Sequence, residues 1–298
     1  MRHYALMGFL NVTPDSFSDG GLFLTHPAAI ARGKALIAEG ATIVDVGGES
    51  TRPRALPVSA SEEASRVVAV IDQLSTASGA RISVDTSKAS VARAAIAAGA
   101  SMVNDVTALR GDPQMAAVVA STGAECCLMH MRGDPSTMQQ NPTYSNVVDE
   151  VIAFLEGQLR FAVAAGIPEE RLLLDPGIGF GKTVAHNLQL LAHLDRLVAL
   201  GRPVVVGTSR KSFLGRIAAD AANSGDVGDS GAVADSGDAA DSAGAAGREG
   251  AVGPAARLPG TIASNVMALE RGATVFRVHD VGPLRDALAV AAATLAAQ

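Results

Sequence analysis

Eight short apolar runs along this sequence each stop at a polar residue, and helix-like stretches separate them. The runs are residues 5–10 before Asn11, 42–44 before Asp45, 82–84 before Asp85, and 102–103 before Asn104 and Asp105. They continue with 126–129 before His130, 172–174 before Asp175, 204–206 before Gly207, Thr208 and Ser209, and 275–278 before His279. Strands buried on both faces read as continuous apolar runs, whereas strands with one wet face alternate. The intervening stretches predict helices over 27–38, 61–74, 87–97 with Ser87 as cap, 113–121, 144–165, 184–199, 259–271 and 283–296. Glycines stop two of them, Gly40 and Gly99. Strands alternating with helices of this length imply parallel βαβ units. Eight such units predict an α/β fold of the (β/α)8 TIM-barrel type, whose site is built at the C-terminal ends of its strands. The polar residues that end the runs are therefore the ones expected to face a ligand.

One segment breaks the rhythm. Residues 220–256 are almost entirely Ala, Gly, Ser and Asp, with no apolar side chain larger than Val. Such a segment cannot bury enough surface to offset the entropy of ordering. It predicts a low-complexity insertion without fixed structure, carried outside a single 1–298 barrel domain. The length of 298 residues suits one barrel of ~250 residues plus an insertion. Charge points the same way. Residues 220–253 hold six Asp, one Glu and one Arg, a net of −6, which is the whole formal charge of the chain. The barrel itself is near neutral, so no field that would steer nucleic acid or a membrane is expected. Aromatics are 3% with no Trp, too few for a base-stacking platform. Cys126 and Cys127 are adjacent in a predicted strand, so they point to opposite faces and are expected as unbonded core residues. Met1-Arg2-His3 leads directly into a strand, and no apolar run nears the ~20 residues of a membrane span. A cytoplasmic protein is expected.

The candidate chemistry sits in the loops after the strands. The first loop, 11–21, is long, ends in Gly20-Gly21 and carries Phe17, a combination that suits a mobile lid. The second, Gly47-Gly48-Glu49-Ser50-Thr51-Arg52-Pro53, offers close backbone approach and, in Thr51 and Arg52, an anion site. Asp85, Asn104 and Asp175 end three strands and, with Lys211, form a polar pocket for a flat, donor-rich ring. Arg277 and His279 lie two apart, on one strand face, and are expected to grip one phosphate. Ser212 opens a helix, where backbone N–H groups favour an anion. Two resemblances to other motifs fail. In Gly177-Ile178-Gly179-Phe180-Gly181-Lys182-Thr183 a phosphate-cradling loop would need glycine at Pro176. In Gly207-Thr208-Ser209-Arg210-Lys211 a nucleophile elbow would need glycine at Lys211. No zinc spacing links the histidines to the cysteines.

Taken together, the motifs GFLNVTPDSFSDGG (8–21), DVGGESTRP (45–53), SVDTSK (83–88), VNDV (103–106), LDPGIGFGK (174–182), GTSRKSFLG (207–215) and RVHDV (277–281) resemble the dihydropteroate synthase family across nearly the whole chain except the insertion. The resemblance implies a folate-pathway transferase. It joins 7,8-dihydropterin-6-ylmethyl diphosphate to p-aminobenzoate, releases diphosphate and uses Mg²⁺. By the resemblance, Asp85, Asn104, Asp175 and Lys211 hold the pterin. Asn11 meets the diphosphate and its metal, with Thr51, Arg52, Arg277 and His279 around it. Phe17, Thr51, Pro53, Phe180 and Ser212 form the p-aminobenzoate pocket. A homodimer is also implied, and neither nucleic acid nor membrane is a partner. Two features depart from the family pattern: Arg54 follows Thr-Arg-Pro where glycine is usual, and the insertion is long. Two alternative readings share the pterin residues: a pterin-dependent methyltransferase domain, and a non-catalytic pterin-binding paralogue.

Overall fold

In the computed structural model, which describes residues 3–13, 22–50, 56–134, 137–224 and 253–297, all eight predicted strands are present. They are β1 (Ala5–Asn11), β2 (Ile43–Gly47), β3 (Arg81–Asp85), β4 (Met102–Asp105), β5 (Glu125–Met129), β6 (Leu172–Asp175), β7 (Val205–Val206) and β8 (Val275–Val278). Every pairing is parallel, in the order β6-β5-β4-β3-β2-β1-β8-β7. A parallel bridge between Leu174 and Val204 joins β6 to the chain entering β7 and closes the ring. The fold is a (β/α)8 TIM barrel.

The helices around it are α1 (Leu22–Glu39), α2 (Ala60–Ala77), α3 (Ala89–Ala97), α4 (Met115–Thr122), α5 (Val147–Ala164), α6 (Val184–Ala192), α7 (Leu194–Val198), α8 (Ser212–Ser224), α9 (Leu258–Glu270) and α10 (Val281–Ala296). Three differ from expectation. The first begins at Leu22 and holds Pro27 inside it. The stretch 184–199 is two helices, parted at His193 (φ −116°, ψ 28°). Ser87 does not cap α3; the cap position is Lys88, and the first amide, that of Ala89, donates to Asp112 Oδ2 at 2.9 Å. Of the segment 220–256, residues up to Ser224 continue α8 and Pro254–Arg257 form a 3-10 turn, while 225–252 lie outside the described residues.

Side-chain alternation along each strand divides the apolar residues into two sets. The larger set packs between strands and helices and includes Leu6, Val44, Val103, Cys126 and Leu174. The smaller fills the lower barrel: Met7, Ile43, Met102, Cys127, Leu173, Val205 and Val275. The two cysteines thus face opposite sides, both free and buried. The inner layer is a solid apolar plug, which bars a channel through the barrel and makes a floor for whatever lies above it.

Candidate active site

Two residues further along each strand, the same inward face changes character. Above Met7, Ile43, Met102, Cys127, Leu173 and Val275 stand Phe9, Asp45, Asn104, Met129, Asp175 and Arg277, and above Ser83 stands Asp85. Position 207, above Val205, is Gly, which leaves open the space beside Arg277. A polar layer therefore rests directly on the plug. Asp45, Asp85, Asn104 and Asp175 are all buried.

Arg277 is the bond between three walls of this layer. Its Nε donates to Asp45 Oδ2 and its Nη2 to Asp85 Oδ2, each at 2.6 Å. The same Asp45 oxygen accepts the Asn104 amide at 3.0 Å, while Asp45 Oδ1 is buried with no hydrogen-bond partner among the described residues. Sequence reasoning placed Asp45 at the end of its strand and gave it no task. The strand instead runs on to Gly47, and Asp45 faces inward at mid-barrel. Arg277 lies inside β8 and His279 just beyond it, and both pack on the Phe9 ring, the guanidinium 4.0 Å from its centroid and the imidazole centroid 4.7 Å away. Two carboxylates on one guanidinium leave an excess negative charge in a dry place. Burial, reinforced by the charges of Asp45, Glu63 and Asp105 against the opposing pull of Arg277, lifts Asp85 to about 7. For Arg277, burial works against its charge, but Asp45 and Asp85 outweigh it and its pKa rises.

Asp175 occupies the opposite wall. Its Oδ1 accepts the Gly177 amide at 2.6 Å. Burial raises its pKa, opposed by that hydrogen bond and by Arg277, Lys211 and Lys182. Lys211 reaches across the Phe180 ring, its Nζ 4.0 Å from the centroid, and a Cβ built on Gly179 would lie 3.3 Å from that nitrogen. Phe180 in turn packs with Val106, Met129, Met131 and Met138 into a separate apolar cluster. This methionine-rich wall beside the polar layer was not foreseen; the loop that supplies Met131 and Met138 has no periodicity to reveal it. Polarisable thioethers conform to a flat aromatic face.

The rim holds the remaining candidates. Asn11 ends β1 beside Gly47, where an added Cβ would stand 3.5 Å from Asn11 Oδ1 and 3.6 Å from Asp85 Oδ2. His279 Nδ1 lies 3.0 Å from Ser209 Oγ, which also accepts the His279 amide at 3.2 Å. Ser209 Oγ thus meets both the main chain and the ring of His279. Ser209 is therefore an orienting group for His279, while the neighbouring carboxylate, Asp280, is held by both Nε and Nη2 of Arg210 at 2.9 and 2.6 Å. Ser212 is the first residue of α8 and half-buried. Phe17, Thr51, Arg52 and Pro53 lie outside the described residues, as does Arg54. The frame of the second loop is described, however. Glu49 accepts the Val58 amide at 3.0 Å with one oxygen and the Lys88 ammonium at 2.6 Å with the other, and Lys88 also pairs with the fully buried Glu63 at 2.5 Å. This clasp ties the two ends of that loop together.

The loop after β6, which resembled a phosphate cradle, binds no anion with its lysine. Lys182 is fully buried and its Nζ contacts backbone carbonyls. Among the described residues, no group of three His, Cys, Asp or Glu is arranged around a metal, and no helix is long and apolar enough to cross a membrane.

Known proteins share this fold. Residues 7–279 match the family described as "Pterin binding enzyme". Dihydropteroate synthase of Escherichia coli K12 is 41% identical over 298 residues, spanning 100% of this chain and 94% of that one. The dihydropteroate synthase of Xanthomonas albilineans solved with 4-aminobenzoic acid superposes with a TM-score of 0.83 at 44% identity, covering 99% of this chain and 94% of that one. Its complex with 7,8-dihydropteroate gives 0.80 at 42%, with the same coverage. With the barrel, its polar layer and these matches in agreement, the chain belongs to the pterin-binding enzymes, in the dihydropteroate synthase family.

Proposed function

We propose that the protein condenses 7,8-dihydropterin-6-ylmethyl diphosphate with p-aminobenzoate, giving 7,8-dihydropteroate and diphosphate. The observation that carries this reading is the linked polar layer of Asp45, Asp85, Asn104 and Arg277, facing Asp175 and Lys211 across the barrel mouth above an apolar floor. Asp175 accepts the paired N–H groups of the 2-amino-pyrimidinone edge, Asn104 meets the same ring, and Lys211 meets its carbonyl or nitrogen. The methionine wall takes the ring's face.

Bond breaking at the pterin methylene leaves positive charge on the bicycle and negative charge on the diphosphate. Asp85 stands where it stabilises the first, and the imidazole of His279 serves the second. Arg277 holds Asp85 in place and, in this proposal, turns to the departing diphosphate only as the ring settles against the carboxylates. The arylamine attacks as a neutral nucleophile and needs position more than a strong base. Phe180 and Ser212, with Phe17, Thr51 and Pro53, form its pocket, and Arg52 adds a cation at the rim. Closure of the first two loops orders that pocket and excludes water, so the diphosphate substrate binds first.

Mg²⁺ fits the rim. A small hard cation keeps several waters and takes one or two protein oxygens plus phosphate oxygens, and the Asn11 Oδ1 next to Gly47 would be the protein oxygen that holds it. When bound, Mg²⁺ would neutralise charge on the leaving diphosphate. A cytoplasmic homodimer completes the proposal; light scattering on the purified protein tests the dimer.

The deciding experiment is turnover: purified protein, Mg²⁺ and both substrates, with product and diphosphate measured. Product above a no-enzyme control is expected, and its absence rejects the enzymatic reading.

A further inference from the structure

We infer that Lys182, by drawing the loop after β6 onto the end of β5, is a positioning residue for the ring-binding pair Asp175 and Lys211; this rests on the ring site proposed above. The ammonium is fully buried and forms a tripod: His130 Nδ1 at 2.9 Å, Gly177 O at 3.0 Å and Phe180 O at 3.0 Å, with His130 O a longer fourth neighbour at 3.4 Å. A charged ammonium has three donors and no acceptor, so opposite charged Lys182 the His130 Nδ1 accepts. Burial and the neighbouring Lys182 charge hold His130 neutral, its pKa pushed down to about 2, which keeps that lone pair available.

Each foot of the tripod bears on the site. Gly177, whose carbonyl Lys182 holds, donates its amide to Asp175 Oδ1 at 2.6 Å and so sets that carboxylate's rotation. Phe180, whose carbonyl Lys182 also holds, carries the Lys211 ammonium on its ring. His130 is one residue beyond β5, and its amide donates to Asp175 O at 3.0 Å. The approach is close: a Cβ on Gly177 would come within 1.8 Å of His130 O. Burying a lysine without a carboxylate in contact is unfavourable, and burial pulls its pKa down to about 7. Stability alone would be served better by an apolar side chain in that position. The loop has other ties. Gln139 to Gly179 O at 2.7 Å, Tyr144 to Gly181 O at 2.8 Å and the Gly179 amide to Asn187 Oδ1 at 2.8 Å lie away from Gly177. The Phe180 amide shares the Gly177 carbonyl at 3.0 Å, but of these side chains Lys182 alone reaches both that carbonyl and the end of β5.

The test is calorimetric affinity for 7,8-dihydropteroate in the full-length protein. Lys182→Met is expected to weaken binding by at least about tenfold, the effect of a displaced binding group. His130→Leu removes the acceptor and is expected to do the same, while His130→Asn keeps an acceptor at the Nδ1 position and is expected to bind like the parent. That rescue separates positioning from packing, because both His130 variants lose the ring's edge-on contact with Phe154. Parent-like affinity in Lys182→Met, or equal losses in the two His130 variants, overturns the inference. If Lys182→Met does not fold, the His130 pair decides alone. Asp175→Ala serves as control: loss of affinity there with none in Lys182→Met defeats only this inference, whereas no loss in Asp175→Ala defeats the ring site itself.

Discussion

Asp45 and Arg277, 232 positions apart in the chain, meet at 2.6 Å in the middle of the barrel, and the Asp45 oxygen that receives Arg277 also receives Asn104. Asp45 is the hub of the polar layer although its own side chain is fully enclosed. Asp45→Ala should destabilise the fold by about 3–5 kcal/mol, the effect of stripping a partner from a buried ion pair. It should also weaken ring binding, because Asn104 loses its fixed orientation. Chemical denaturation and calorimetry measure the two effects; unchanged values for both would remove Asp45 from the site.

Asp175→Ala should weaken binding of the pterin ring by at least roughly 10- to 150-fold, from about 1.5–3 kcal/mol per hydrogen bond to a charged acceptor. The variant should still fold, since it removes one acceptor of the Gly177 amide and leaves the Lys182 tripod intact. Calorimetric titration reads the affinity directly.

Stability should depend on the Asp85 proton. In the folded protein the carboxyl keeps its proton up to about pH 7, whereas in the unfolded chain it releases it near ~4. The folded state thus binds the extra proton between those limits, and linkage makes its stability fall as pH rises through that window. The contribution is complete below about pH 4 and gone above about pH 7. Unfolding free energies of the ligand-free protein and of Asp85→Asn, measured from pH 5 to 8, should converge toward acid and separate toward neutrality, with the variant ahead at pH 8. Parallel curves would contradict the shift.

Lys88→Met should open the clasp of the second loop. It leaves Glu63 buried without its cation and frees Glu49, whose other oxygen holds Val58. A loss of about 3 kcal/mol in stability is expected. The KM for p-aminobenzoate should rise more than that for the diphosphate substrate, because the loop carries Thr51 and Pro53. Steady-state kinetics with each substrate varied in turn checks the asymmetry.

Removing residues 223–250 should leave turnover and thermal stability close to the parent. That segment offers no apolar side chain beyond Val and holds most of the chain's excess negative charge. A marked fall in either quantity on assay or melting would show that the segment packs on the barrel.

The strands were legible because each is buried on both faces, so the apolar runs stand out and their ends fall within a few residues of the observed ones. Asp85, Asn104 and Asp175 were legible for the same reason, as polar residues at run ends. Asp45 was hidden by that very rule. Reading it as a terminator stopped β2 two residues early, whereas counting by two from Ile43, as from Met102, Leu173 and Val275, places it in the layer with Asn104, Asp175 and Arg277. The role of Arg277 was hidden because its partners come from the first third of the chain. Lys182 could be cleared as a phosphate ligand from spacing, but a lysine with no exposed surface is rare enough that nothing in the sequence announces it. Helix ends were less certain, as Ser87 and His193 show: a side chain from a distant loop, Asp112, did the capping that a local serine was expected to do.

The glycines after Asp175 carry a consequence for variation in this protein. Gly177 and Gly181 both adopt left-handed backbone (φ 66° and 63°), and a methyl group on either would collide with a main-chain carbonyl, that of His130 or that of Arg132. Main chain cannot yield as a rotamer does. This buried strip behind Asp175 is therefore one that amino-acid replacement can scarcely alter, so variation around the ring has to come from other positions.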